Sequence, residues 1–486
     1  MKDSHIILSY AVRIPVICKY TAQVLLLLSI LTLAPLIVSL ITADYFVALH
    51  YLAVIIPLFL ISFPLSRIHT PAHIQVNEAL VIVALAFIFS SLIMIYPLTA
   101  SGLSFADALF EAVSGVTTTG LTTVTGLQDK SVGFLFVRAW MQWTGGLGIV
   151  VLSIALLMGN HIAARQLAEP LSSETMVTTA RTHARRMMII YVTMTLIALV
   201  ILWVLTGDGL NALLYVLAAV STGGFAPNDI SLAAYENLEV RYAITLIAFC
   251  GAVPLPLYYL AWRRHLKEFF TDIEFRGLLL LTVAVCLLLI IFMHFRSGLD
   301  LQDSITHGVL LGISAQTTTG FSSFDIANLD DSSKIVTTIA MLVGGGMGST
   351  AGGFKVLRLL ILLRLIHLLI RSTALPSHAV VNPRMGNRPL EADDMQRALL
   401  LVLLFVMVVL ISWLIFVYYG YPPLDALFEV VSATGTVGLS TGITDTDLPA
   451  VLKGLLCVDM MVGRVEIVAL LIVLYPPTWF GKRAQF

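Results

Sequence analysis

Four short segments rich in threonine and glycine interrupt an otherwise apolar chain, and their residue types suit the binding of a dehydrated cation. Their sequences are Thr117-Thr118-Thr119-Gly120-Leu121, Ser221-Thr222-Gly223-Gly224-Phe225, Thr317-Thr318-Thr319-Gly320-Phe321 and Gly435-Thr436-Val437-Gly438-Leu439. Inside a bilayer such a cation needs oxygen ligands, which backbone carbonyls supply without charge. Glycine allows the positive φ that inward-turned backbone requires, and threonine packs well in extended conformation.

The four segments follow matching stretches of sequence. Asp107–Glu111 lies thirteen to nine residues before Gly120, and Asp425–Glu429 has the same offsets from Gly438. The corresponding stretches of the other copies are Asn211–Tyr215 and His307–Leu311. Small residues in membrane segments often serve helix packing instead. Four copies behind matching short helices nevertheless favour a four-part cation filter, because non-helical backbone at membrane depth must line a cavity.

The composition is that of a polytopic membrane protein. Of 486 residues, 58% are hydrophobic and only 12% are charged, whereas soluble domains carry about 25% charged residues. The net charge of −1 argues against a nucleic-acid partner, which favours a basic patch. The sequence contains neither a metal-binding histidine motif nor a pattern typical of a catalytic triad, and we predict that the chain is not an enzyme.

The pattern predicts an all-α membrane protein in which four pseudo-repeats surround one central pore, preceded by an extra N-terminal helix pair. That pair is Val16–Ala43 and Phe46–Leu65, since crossing takes roughly 20 apolar residues. Each repeat has a spanning helix, a pore helix, the Thr/Gly segment and a second spanning helix. The predicted helices are Ala79–Tyr96, Phe105–Val116 and Val132–Met158; Met187–Leu205, Asn211–Val220 and Tyr242–Trp262; Leu278–His294, Ile305–Gln316 and Ile335–Ile370; and Ala398–Tyr419, Leu424–Ala433 and Val451–Leu474. We divide the chain into residues 1–70, 71–170, 171–270, 271–380 and 381–486.

The distribution of charge predicts the orientation. Basic residues fall on one side of the predicted spans: Lys2, Arg13, Lys19, Arg67, Arg165, Arg181, Arg185, Arg186, Arg263, Arg264, Lys267, Arg371, Arg384, Arg388, Lys482 and Arg483. The positive-inside rule makes this side cytoplasmic, so both termini are expected inside and the four segments enter from outside. The acidic outer face either raises the local cation concentration or is simply a solvated surface.

The residues carry a specific resemblance. The stretches 110–120, 142–148, 344–355 and 463–466 resemble the pore subunit of the Trk/Ktr/HKT superfamily of potassium transporters, closest to the TrkH type. The resemblance implies K⁺ as the transported ion, a bacterial inner-membrane location, a homodimer and a cytosolic TrkA-type nucleotide-binding ring. It implies no organic cofactor in this chain. The candidate K⁺-binding residues are Thr117, Thr118, Thr119, Gly120, Thr222, Gly223, Gly224, Thr318, Thr319, Gly320, Thr436, Val437 and Gly438.

A glycine-rich stretch, Gly344–Gly353, interrupts the last predicted helix of the third repeat. Six glycines in ten residues should break a helix. The stretch contains a formal dinucleotide-binding match, but no strand precedes it. The resemblance implies an intramembrane loop that obstructs and gates the pore. The candidate gate residues are Gly344, Gly345, Gly346, Gly348, Ser349, Thr350, Gly352, Gly353 and Lys355.

Two charged residues, Arg464 and Glu466, lie within the final predicted helix. Ionisable residues at membrane depth are usually functional and face the interior or a partner. Residues two apart on a helix do not face each other, so we expect Arg464 to pair with Glu111 or Glu429. The resemblance implies that Arg464 lies beside the pore, where its charge limits leak. A purely structural ion pair is the alternative, and both roles are compatible.

Two other functions remain open. A carrier with broken helices would also contain interrupted segments, but carriers are expected to repeat in two halves rather than four. Among ion pathways, the alternative is a Na⁺-permeable or Na⁺/H⁺-coupled cation transporter with weak K⁺ preference. Some plant relatives with serine at the first filter glycine favour Na⁺, whereas glycine at all four positions here favours K⁺. Val437 and Gly223 depart from the common pattern and could weaken that preference.

Overall fold

The structure, a computed structural model, describes residues 11–71, 74–157, 175–374, 384–385 and 388–480. Its helices are α1 Ile14–Leu31, α2 Leu33–Ile41, α3 Tyr45–Ser66, α4 Val76–Ala100, α5 Phe105–Val116, α6 Val132–Leu157, α7 Thr175–Thr206, α8 Gly209–Val220, α9 Leu238–Ala252, α10 Leu255–Trp262, α11 Leu266–Thr271, α12 Ile273–Phe295, α13 Leu301–Gln316, α14 Asp331–Val343, α15 Val356–Ser372, α16 Ala392–Tyr418, α17 Pro423–Thr434, α18 Ala450–Val465, α19 Ile467–Leu474 and α20 Pro476–Phe480. Two strands of two residues, β1 Arg384–Met385 and β2 Arg388–Pro389, pair antiparallel. The predicted helix end at Met158 and the basic residues Lys2, Arg165, Lys482 and Arg483 lie outside the described residues.

Long apolar helices make this a multi-pass membrane protein. Among the described residues, six segments are long and apolar enough to cross a bilayer: Ile14–Ile41, Tyr45–Ser66, Val76–Ala100, His183–Thr206, Ile273–Phe295 and Ala392–Tyr418. They correspond to the predicted N-terminal pair and to the first helix of each repeat. Their outward faces carry large exposed apolar side chains, such as Ile41, Val204 and Leu280, as lipid contact requires.

Two predicted second helices are not continuous, and these predictions were wrong. Tyr242–Trp262 divides into α9 and α10, which meet at an angle of 92°, because Pro254 and Pro256 interrupt the helical hydrogen bonds. Val451–Leu474 divides into α18 and α19 at Glu466, which has a φ of 65°. The third-repeat helix is interrupted as expected, with α14 and α15 separated by residues 344–355.

The four pore helices, α5, α8, α13 and α17, form the centre of the buried core. The α5 helix has the predicted bounds, and the other three begin one to four residues earlier than predicted. At the position ten residues before each filter glycine, the side chain is buried in every copy: Phe110, Leu214, Leu310 and Phe428. Each pore helix thus uses the same apolar face to pack against the surrounding helices.

A buried ion pair joins the first pore helix to its second spanning helix. Arg138 on α6 donates to the carboxylate of Glu111 on α5, and both side chains are fully buried. Arg138 also donates to the Ala226 carbonyl over 3.2 Å and lies 4.0 Å from the centre of the Phe225 ring. One guanidinium therefore connects the first repeat to the backbone that follows the second Thr/Gly segment.

We predict that Arg138→Met destabilises the fold by about 3 kcal/mol, because it leaves the Glu111 charge buried without its partner. The double variant Arg138→Met/Glu111→Gln should recover most of this loss. Thermal unfolding of the detergent-solubilised protein measures both effects. Arg296→Met, at an exposed position after α12, is the control. Equal stability of the Arg138 variant and the control would contradict a role for the pair.

Candidate cation pathway

The four Thr/Gly segments share one unusual backbone conformation. Their second residues have φ values that are rare for residues other than glycine: 54° at Thr118, 51° at Thr222, 52° at Thr318 and 49° at Thr436. Their fourth residues also have positive φ: 91° at Gly120, 79° at Gly224, 82° at Gly320 and 96° at Gly438. Such conformations cost energy and cluster at functional sites. Their fourfold recurrence indicates one construction used four times.

Hydrogen bonds at the end of each pore helix produce this conformation. The amide of Thr119 donates to the Ser114 carbonyl over 2.9 Å. The equivalent bonds are Gly223 to Ala218 at 2.7 Å, Thr319 to Ser314 at 2.9 Å and Val437 to Ser432 at 2.8 Å. In the first and fourth copies a serine hydroxyl, Ser114 or Ser432, also accepts from the filter glycine amide over 3.1 Å. The chain therefore leaves the helix in the same way each time.

The four glycines form a closed ring. A Cβ atom at Gly120 would lie 2.2 Å from the carbonyl oxygen of Gly223. The corresponding distances are 2.0 Å from Gly224 to the oxygen of Thr319, 2.0 Å from Gly320 to that of Val437 and 2.3 Å from Gly438 to that of Thr119. Each glycine thus faces the carbonyl that precedes the next glycine, and the fourth segment returns to the first. Four backbones surround one axis at van der Waals contact.

The atypical residues Gly223 and Val437 occupy the same place in this ring as Thr119 and Thr319. All four positions present a carbonyl to the neighbouring glycine. The departures noted in the sequence therefore leave the backbone arrangement unchanged.

Residues of the second helices support the ring from behind. Gln142 on α6 accepts from the Phe225 amide over 3.0 Å and donates to the Gly223 carbonyl. A Cβ at Gly145 would lie 2.0 Å from the carbonyl oxygen at the end of α5, and a Cβ at Gly463 would lie 1.8 Å from the carbonyl oxygen at the end of α17. Sequence reasoning did not assign these roles, although all three residues lie in the stretches that carry the family resemblance.

Two lysines form further links between repeats that the sequence analysis missed. Lys453 on α18 pairs with Asp107 on α5 over 2.7 Å. Lys334 on α14 pairs with Asp425 on α17 over 2.8 Å. Since Asp107 and Asp425 have the same offset from their filter glycines, the two pairs are equivalent contacts between adjacent repeats. The matching positions of these two aspartates in the sequence were the signal that could have predicted the contacts.

The glycine-rich stretch between α14 and α15 forms a loop against the ring, at the C-terminal ends of the pore helices. The Thr350 hydroxyl lies 3.0 Å from the Val220 carbonyl oxygen, at the end of α8. The Gly352 amide donates to the Thr318 hydroxyl over 2.6 Å, and the Gly353 amide donates to the Gly435 carbonyl over 3.0 Å. The Thr350 hydroxyl also lies 3.4 Å from the Thr222 hydroxyl, so the predicted gate residues 344–353 contact the second, third and fourth segments directly.

Arg464 on α18 is 1% exposed and holds this loop. Its Nη1 donates to the Thr350 carbonyl over 2.6 Å, and its Nη2 lies 3.3 Å from the Gly145 carbonyl oxygen. The expected pairing of Arg464 with Glu111 or Glu429 is wrong. Glu111 binds Arg138 and the Thr122 hydroxyl, and Glu429 accepts from groups that follow the fourth segment. Both carboxylates are satisfied away from the loop.

The other charged residues singled out in the sequence, Glu466 and Lys355, form contacts at the end of the loop and in the helix that follows it. Glu466 pairs with Arg358 on α15 over 2.8 Å. The Lys355 ammonium donates to the Ala351 carbonyl, and the Lys355 amide donates to the Val343 carbonyl over 2.9 Å. Among the described residues, no group of three or more histidine, cysteine or acidic residues could hold a metal ion.

Comparison with known proteins agrees with this architecture. The sequence model of the TrkH family, described as a cation transport protein, matches residues 51–476. The chain is 31% identical to the potassium uptake protein TrkI of Halomonas elongata, over 84% of this chain and 85% of that protein. It is 29% identical to TrkH of Escherichia coli, over 82% of each. An uncharacterized cation transporter of Methanocaldococcus jannaschii is 28% identical over 92% of each.

The fold also matches a solved structure. The potassium transporter TrkH of Vibrio parahaemolyticus superimposes with a TM-score of 0.86, covering 96% of this chain and 100% of that chain at 24% identity. The all-α membrane fold and the family resemblance read from the sequence are confirmed. The family consists of transporters, which agrees with the prediction that the chain is not an enzyme. The chain belongs to the TrkH family of cation transport proteins.

Proposed function

We propose that this protein conducts K⁺ across the inner membrane of a bacterium through the ring of four Thr/Gly segments. The closed ring of glycines and carbonyls is the observation that carries the proposal, because it surrounds one axis with uncharged oxygen ligands. Several relatives are named potassium uptake proteins. The ion ligands would be the backbone carbonyls of residues 118–120, 222–224, 318–320 and 436–438.

The pore helices add an electrostatic argument for a cation. Each helix ends two residues before a positive-φ threonine of the ring. The C-terminal end of a helix carries partial negative charge, and four such ends around one axis favour a positive ion. Glycine at all four ring positions favours K⁺. The alternative is a Na⁺-permeable or Na⁺/H⁺-coupled transporter with weak K⁺ preference.

The gate in this proposal is the loop 344–353, held in a blocking position by Arg464. The loop contacts three of the four segments, so an ion leaving the ring would meet it. Arg464 contributes twice, since its bond to Thr350 holds the loop and its charge repels cations nearby.

The assembly and orientation are also proposals. Both termini would be cytoplasmic, following the bias of basic residues. The chain would form a homodimer on a cytosolic TrkA-type ring, with the N-terminal helix pair and the four repeats divided as predicted from the sequence. The chain itself would bind no nucleotide and no nucleic acid. A ligand on the ring would shift the gate only through different affinities for its two states.

Serine in place of Gly120 or Gly320 should lower the K⁺ preference over Na⁺ by about tenfold, equivalent to about 1.4 kcal/mol. The new Cβ would lie 2.2 or 2.0 Å from a carbonyl of the next segment, so the ring must widen or distort. Competitive K⁺ and Na⁺ flux into liposomes measures the preference. Gly454→Ser is the matched control, because a Cβ there meets nothing within 4 Å. Unchanged selectivity in both ring variants would contradict the filter assignment.

Arg464→Ala should increase K⁺ flux of the chain alone several-fold without altering selectivity, because it frees the loop and removes a positive charge from the ion path. The same liposome assay tests this, with the exposed Arg296→Ala as the control. A folded Arg464 variant that conducts like the unmodified protein would show that the residue does not restrain the gate. No K⁺ flux from either protein would contradict the proposed function itself.

Nucleotide should change the flux only when the cytosolic partner is present. We expect ATP to leave flux through the chain alone unchanged and to alter it after a TrkA-type ring is added. ATP titration of liposomes with and without the ring measures this. A nucleotide response of the chain by itself would refute the proposal.

A further inference from the structure

A buried carboxylate outside the loop also holds the loop backbone. Glu274, in the first turn of α12, is 7% exposed and accepts a hydrogen bond from the Met347 amide. Met347 lies near the middle of the loop, three residues before Thr350. The loop is therefore bound at two points, by Arg464 at Thr350 and by Glu274 at Met347.

The same part of the loop is hydrogen-bonded to the break between α9 and α10. The Gly346 amide donates to the Ala252 carbonyl over 2.9 Å, and the Leu255 amide donates to the Gly348 carbonyl over 3.2 Å. The Thr350 amide lies 3.2 Å from the Gly251 carbonyl oxygen. A helix break leaves backbone groups without helical partners, and here the loop provides them. Residues 346–350 are thus held between this break and α12.

Two basic residues at the end of the loop, Lys355 and Arg358, interact electrostatically with Glu274, and Arg358 also pairs with Glu466. A buried carboxyl group is costly unless it is hydrogen-bonded. Glu274 meets this condition only while the loop stays in place, since the Met347 amide is part of the loop.

Capping of α12 does not require Glu274. The helix begins at Asp272, whose carboxylate accepts from the amides of Glu274 and Phe275 over 2.9 and 3.0 Å. Asp272 therefore fulfils the usual role of an acidic residue at a helix start. The Glu274 side chain is directed instead to the loop, which indicates a function in positioning it.

We propose that Glu274 is a positioning residue of the gate, which holds the loop in its blocking position at Met347 while Arg464 holds it at Thr350. This inference rests on the proposed function and deepens it, since it names a second restraint on the same gate. The short helix α11 immediately precedes α12 and exposes Leu266 and Phe270. In the proposed orientation it lies on the cytoplasmic side, so a displacement there would reach the loop through Glu274.

The test compares K⁺ flux through liposomes containing the full chain alone. Glu274→Met keeps the volume and removes the acceptor, and we expect a rise of about tenfold, in line with the loss of one buried hydrogen bond. Glu274→Gln retains an oxygen that accepts from the Met347 amide, so it should restore most of the restraint. Asp272→Asn alters the neighbouring carboxylate and the α12 cap, and it should leave flux low. Selectivity for K⁺ over Na⁺ should be the same in all of them.

Three results would contradict the positioning role of Glu274. Glu274→Met could conduct like the unmodified chain while Arg464→Ala conducts more, which would leave the gate intact but exclude Glu274. Glu274→Gln could raise flux as much as Glu274→Met, which would exclude the hydrogen bond. Asp272→Asn could reproduce the rise, which would assign the rise to the helix cap.

If Glu274→Met does not fold, Glu274→Asp replaces it, because the shorter side chain withdraws the carboxylate from Met347. Unchanged flux through Glu274→Asp then counts against the proposal. Absence of flux even in Arg464→Ala would instead refute the conducting pore.

Discussion

The structure depends on the close approach of four backbones, each with a glycine against the carbonyl of the next. A Cβ at any of these four positions would lie 2.0 to 2.3 Å from that carbonyl oxygen, so this close approach requires glycine at all four. The pore helices must then end at the same level along the axis of the ring, and the second helices of the repeats must pack closely against those ends. Gly145 and Gly463 permit that second approach. A local requirement for the smallest residue thus sets the spacing of distant helices.

The sequence predicted the parts of this arrangement that are local. The bounds of α5 follow from an apolar helix that meets a Thr/Gly segment within a few residues, and the repeat spacing identified all four segments. It did not predict the breaks at Pro254 and Glu466, because the flanking residues continue the apolar pattern. The partner of Glu111 is Arg138, which lies 27 residues away on another helix. Pairing across such a distance depends on helix packing, which no local periodicity records.

The four copies share a backbone but not the side chains that support it. Ser114 and Ser432 bind the glycine amide of their own segments, whereas the second segment is held by Gln142 from the first repeat. In the third copy Gln316 donates instead to the Gly344 carbonyl over 2.7 Å, where the loop begins. Threonine, glycine and valine all place a carbonyl against the next glycine at the position before the ring glycine. The copies share the threonine at the second position and the glycine at the fourth, and they differ in the residue between them.

In the proposed function, the loop would compete with a cation for the same kind of group. Its Thr350 hydroxyl and Gly353 amide lie on the carbonyls of Val220 and Gly435, at the ends of two pore helices. Those ends carry partial negative charge, so the donors of the loop satisfy oxygens that would otherwise attract an ion. The close contact is possible because Gly352 lies against the Gly435 carbonyl, where a Cβ would come within 2.0 Å. In the proposed function the loop would obstruct the pathway by its volume and also by occupying acceptors, and its withdrawal would return both the space and the oxygens to the ion.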